Sequence, residues 1–110
     1  MPTSSLTALS RQQRELAKTS SNGRSAFTVH GGHKHVLRQT MIALNGGEKL
    51  SEHENPGEAT VHVLHGRVRL DAGDDRWDGR PRDLIVVPDA LHDLEALENS
   101  VVLLTVAKHP

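Results

Sequence analysis

The chain of 110 residues contains no cysteine. Disulfides and thiolate metal sites are therefore excluded, which fits a reducing cytoplasm. Aromatic residues are nearly as scarce, Phe27 and Trp77 making up the whole set. So few rings give no platform for stacking single-stranded bases and poor material for a carbohydrate-binding face. Excess charge is missing too. At a formal net charge of -1, no basic field draws nucleic acid or an anionic membrane surface. No apolar run approaches the ~20 residues of a spanning helix, and no signal peptide is evident. The expectation is a soluble cytoplasmic protein with no nucleic-acid and no membrane partner.

What remains is enough for one domain. A chain this short buries only about two-thirds of its unfolded surface, so a homodimer is expected as a source of further burial. The hydrophobic share, 35%, lies in short Val/Leu/Ile runs, as β-proteins distribute it. Residues 4 to 19 differ: Leu6, Leu9, Gln13 and Leu16 recur at helical spacing. Ser4 or Ser5 is expected to cap this helix, and Asn22-Gly23 to stop it in a left-handed conformation. Arg11, Arg14, Glu15 and Lys18 are expected to face water. Its leucines would pad one end of the fold or a neighbouring subunit. No second helix or basic face accompanies it, as DNA recognition would need. The chain thus divides into a helix with linker, residues 1–24, and a β domain, residues 25–110.

From Ala26 onward the helical period is gone. Phe27 to His30 reads as a strand and Gly31-Gly32 as a turn. A longer strand, His33 to Leu44, puts His35, Leu37, Gln39 and Met41 on one face and Val36, Arg38, Thr40 and Ile42 on the other. Thr60–Leu64 and Arg67–Ala72 read as a hairpin around His65-Gly66. A turn at Gly73-Asp74-Asp75 leads to a strand holding Trp77. Leu84 to Val87 reads as a buried strand halting at Pro88, and His92–Leu97 and Val101–Ala107 as the last two strands. About eight or nine short strands with turn chemistry between them predict an all-β barrel or jelly-roll sandwich behind a short N-terminal helix.

Within this pattern, Gly47 to Gly66 reads GEKLSEHENPGEATVHVLHG. It resembles the first motif of the cupin superfamily, in which a glycine, a His-x-His pair, a glutamate and a closing glycine fall at fixed spacing. Gly47, His53 and Gly66 match, whereas Asn55 stands at the second histidine and Ala59 at the glutamate. The second motif is matched by RDLIVVPDALHDL through Asp83, Leu84, Pro88 and His92. Arg82 replaces its first glycine and Ala90 its inner one, and His92 comes one residue early, as a shorter loop would produce. The resemblance spans about residues 26 to 107 and implies a small single-domain cupin-type β-barrel (a double-stranded β-helix, or jelly roll), commonly dimeric through its sheets.

The resemblance also implies a site. Metal-bearing cupins use three histidines and a glutamate to hold iron, manganese, nickel or zinc. Here the implied metal ligands are His53 and His92, with His35 or Glu58 as a possible third. Glu58 reaches the interior only if the strand bulges. Tight mononuclear sites use three or four protein ligands. The leading expectation is therefore a barrel mouth binding a small polar or anionic molecule, its metal site degenerate. His53, Asn55, His92 and Gln39 would supply polar contacts, and Met41, Val61, Val63 and Leu91 apolar wall. The alternatives are a metal-dependent oxygenase or isomerase using His53 and His92, and a structural or regulatory partner protein docking through its helix. The remaining chemistry is thin. HGGHKH resembles a metal-binding tract in composition, His62 is expected at a sheet or dimer seam, and His65 is a turn residue. No serine elbow or phosphate loop occurs. Asp71, Asp74, Asp75 and Asp78 read as a solvated turn rather than a calcium loop.

Overall fold

The computed structural model describes residues 2–53 and 57–108, with backbone alone at 52, 53 and 57. Ser5 opens α1 (Leu6–Thr19), its hydroxyl accepting from the Ala8 backbone N–H at 3.2 Å and so satisfying a donor with no partner inside the helix. The helix stops at Ser20 in an extended conformation (ψ 140) rather than in the expected left-handed one at Asn22-Gly23. Gly23, at φ 68, closes the turn that follows, its N–H donating to the Ser20 carbonyl at 3.3 Å. The buried stripe is Ser10, Gln13 and Ala17, with Leu6 and Leu9 partly covered. Leu16 is half exposed, because the stripe runs from 13 to 17 and leaves it to one side.

Among the described residues nine strands follow: β1 (Arg24–His30), β2 (Leu37–Leu44), β3 (Lys49–His53), β4 (Gly57–His65), β5 (Val68–Ala72), β6 (Asp75–Gly79), β7 (Leu84–Val86), β8 (His92–Ala96) and β9 (Ser100–Lys108). They form two antiparallel sheets, a five-stranded one in the order β1-β2-β9-β4-β7 and a four-stranded one in the order β3-β8-β5-β6. This is the expected all-β architecture behind an N-terminal helix. Three expectations need correction. β2 starts only at Leu37, so His33 and His35 lie in the connection after Gly31-Gly32. β4 and β5 are not a hairpin: β4 pairs with β7 and β9, β5 with β6 and β8, and the chain crosses between sheets at Gly66. β7 is a half-buried edge strand, with Ile85 inside and Leu84 and Val86 61% and 75% exposed.

The molecule has two apolar layers. Between the sheets lie Val61, Val63, Val68, Leu70, Leu94 and Val102 with their neighbours. On the other side of the five-stranded sheet, α1 covers Met41, Ala43, Val101 and Leu103. Strand alternation on β2 and β9 feeds both layers, which is why neither face of β2 reads as polar. Gly66, at φ 82, brings the chain directly against Asn99 and Ser100, where any β-carbon would overlap them. The outer face of the four-stranded sheet is polar. Arg69 pairs with Asp78 at 2.9 Å, Arg76 with Asp71 at 2.7 Å, and Lys49 lies 3.9 Å from Asp93.

Candidate functional site

His92 sits at the start of β8, just past a turn in which the Ala90 N–H donates to the Pro88 carbonyl at 2.9 Å. Alternation along β8 sends His92, Leu94 and Ala96 inward and Asp93 and Glu95 outward. His92 is 4% exposed, and its Nδ1 donates to the Ala90 carbonyl at 2.9 Å. A carbonyl can only accept, so neutral His92 carries its proton on Nδ1 and its lone pair on Nε2. The ring lines a cavity of about 20 Å³ between the sheets, with Ile42, Leu50, Val61, Leu70 and Leu104 among the walls. His92 is the polar member of that lining; every other described lining residue is aliphatic.

β3 pairs antiparallel with β8, and His53 stands opposite His92 in the register. The strand pairing therefore brings together two stretches of sequence that read as separate motifs. The His53 side chain and all of Asn55 lie outside the described residues.

The other expected site residues divide. Val61 lines the cavity, and Val63 lies in the same inter-sheet core. Met41 does not line it. At 0% exposure it packs beneath α1, because the odd-numbered residues of β2 face the helix and Ile42 faces the interior. Gln39 shares Met41's face, opposite Ile42's, and donates to Thr105 Oγ1 at 3.3 Å. Leu91, 51% exposed, precedes the inward turn of His92 and is not among the cavity's described lining residues.

Of the described side chains that the resemblance implies as metal ligands, His92 reaches the interior. Ala59, at the carboxylate position, is buried in the inter-sheet core with no donor to offer. Glu58 is exposed, since alternation holds through this part of β4 without a bulge. His35 is exposed at the far end of the β1–β2 connection, its ring edge-on to His30 at 5.2 Å between centroids. Neither serves as a third interior ligand. Among the described residues no group of three or more His, Cys, Asp or Glu side chains converges. The described donors thus do not fit a transition-metal site that needs three. The aspartate-rich turn likewise spends Asp71 and Asp78 on arginines, and the hydrogen bond from Arg69 holds the Asp78 carboxyl below its ordinary value.

A second polar site escaped the sequence reading. His65 is the last residue of β4, not a turn residue, and its Nε2 lies 3.2 Å from Nη1 of Arg14. Arg14, expected in water, is half-buried against the five-stranded sheet. Its spacing held the signal: it follows Ser10 by four residues and precedes Ala17 by three, and both are buried. The contact separates two parts of a cleft between α1 and the sheet. One, about 100 Å³, is lined by Lys18, Asn45, Asn99 and Ser100; the other, about 230 Å³, by Leu6, Thr7, Ser10 and Leu64. Burial first, then the Arg14 charge, push the His65 pKa below its ordinary 6.5.

No protein-family model matches the sequence, and no curated protein does. Solved structures do. A cupin superfamily protein from Desulfitobacterium hafniense superposes with a TM-score of 0.75 at 18% identity, over 87% of each chain. A conserved protein of unknown function from Streptococcus pyogenes gives 0.73 at 25% identity, over 83% of this chain and 79% of its own. A cupin 2 conserved barrel domain protein from Leptotrichia buccalis gives 0.70 at 22% identity, over 86% of this chain and 45% of its own.

Proposed function

The chain has the cupin fold, and on that premise we propose that it binds one small molecule at the His92 end of the barrel. The observation that carries this is a buried imidazole in a cavity whose other described lining residues are aliphatic. Such a lining suits a short apolar end inside and one polar or anionic head on the ring. At about 20 Å³ the cavity admits little more than a water-sized group. The body of the ligand therefore stays at the mouth. Anchored at Nδ1 by Ala90, the ring has its orientation set before a ligand arrives, which lowers the ordering cost of binding.

Propanoate is a suitable probe for the imidazolium form, in which Nε2 also carries a proton and donates to the carboxylate while Nδ1 stays on Ala90. Titrating it should move the His92 ring signals together with the methyl signals of Val61 and Leu104 in an NMR spectrum. His92→Ala should weaken that response about tenfold or more, the loss of one hydrogen bond to a charged group. An unchanged response in His92→Ala would refute the site.

The metal-dependent reading, an oxygenase or isomerase, keeps one observation in its favour: His53 opposite His92 in the β3–β8 register. Near-stoichiometric metal in protein purified without chelators, lost in His92→Ala, would establish it over simple binding. A homodimer belongs to the proposal on grounds of chain size, with sedimentation equilibrium expected to give twice the monomer mass of 12.0 kDa.

A further inference from the structure

The cleft under α1 is separate from the barrel mouth, on the opposite side of the five-stranded sheet. Arg14 brings a guanidinium into it without a carboxylate within ion-pair distance among the described residues. Its Nε is buried and has no hydrogen-bond partner there. The other charges around the cleft do not compensate it. Lys18 is held by Glu15 at 3.2 Å on the exposed side of α1, and Glu98, on the turn before β9, acts on His65 only through space. Asn99 accepts the Gly46 N–H through Oδ1 at 2.8 Å, which orients its amide donors away from that bond. A guanidinium fork with amide and ammonium donors around one cavity is the donor set that recognises a planar or tetrahedral oxyanion.

We propose that the Arg14–His65 cleft is a binding site for a small oxyanion, the phosphate or carboxylate group of a free metabolite or ion. Arg14 would be its principal ligand, with Lys18 and Asn99 on the polar side. In the contact drawn, His65 must be neutral, because a guanidinium only donates and Nε2 must accept. An anion beside Arg14 cancels the charge that opposes protonation of His65. Binding then takes up a proton and strengthens as pH falls toward the imidazole range.

The test is an NMR pH titration of the His65 ring in inorganic phosphate, in acetate and in chloride at equal ionic strength. The expected result is a His65 pKa higher in phosphate or acetate than in chloride, with the Asn99 side-chain amide shifting in parallel. The stronger of the two arms identifies phosphate or carboxylate as the group recognised. Arg14→Gln should weaken binding about tenfold or more. Asn99→Asp keeps the acceptor for Gly46 while adding a negative charge to the cleft, so it should abolish binding in a folded protein. Equal His65 pKa values in all three salts would overturn the proposal, as would anion affinity unchanged in a folded Asn99→Asp variant.

Discussion

Arg82 shows how a backbone requirement outlives the residue that usually meets it. It is the non-glycine residue with positive φ, at 78, among those described. The stretch Arg80-Pro81-Arg82-Asp83 closes with the Asp83 N–H donating to the Arg80 carbonyl at 2.9 Å, and the Asp83 carboxylate accepts from the Arg80 N–H at the same distance. Proline followed by a residue of positive φ is the pattern of a type II turn, whose third position favours glycine. The cupin resemblance expects glycine at that very position. A side chain in the left-handed region costs about 1–2 kcal/mol, and glycine's looser unfolded chain returns roughly half of that. Arg82→Gly should therefore stabilise the protein by about 0.5–1 kcal/mol in urea unfolding. Arg82→Ala, which keeps a β-carbon, should not. Equal stability of the two variants would place the cost somewhere other than the backbone.

Individual elements were more legible than their partners. The helix, its serine cap and the β5–β6 turn follow from local chemistry, and local chemistry is what a sequence displays. Ala59 in and Glu58 out follow as directly from strand alternation. Sheet membership does not. His65-Gly66 announces a reversal, and the chain does reverse there, but into the other sheet, because Gly66 lets it pass against Asn99 and Ser100. Nothing local separates that crossover from a hairpin. The same ambiguity misplaced Met41 and Gln39. Both faces of β2 are covered, one by α1 and one by the opposite sheet, so its pattern carries no sign for which face is inside. His92 escaped the problem because the polar residues Asp93 and Glu95 alternate with it on β8 and mark the outer face. For the partner-protein alternative, the consequence is that α1 spends its buried stripe on this chain's own sheet.

At the scale of the molecule, β9 ties the two layers together. Val101 and Leu103 reach the helix layer, while Val102 and Val106 reach the layer between the sheets. Neither layer can lose its packing on β9 without disturbing side chains one residue away that belong to the other. The helix has little stability of its own, since 14 residues is near the length at which isolated helices are marginal in water. Its helicity therefore depends on Met41 and Leu103, and their positions depend on the sheet behind them. Trp77 offers an independent view from the far side, being the single tryptophan and lying on β6, the edge of the four-stranded sheet. Urea unfolding followed by Trp77 fluorescence and by the far-ultraviolet circular dichroism of α1 should give coincident midpoints, one cooperative transition seen from both ends. If the helical signal is lost at lower urea than the tryptophan signal, α1 leaves first, and β9 does not couple the layers as its alternation requires.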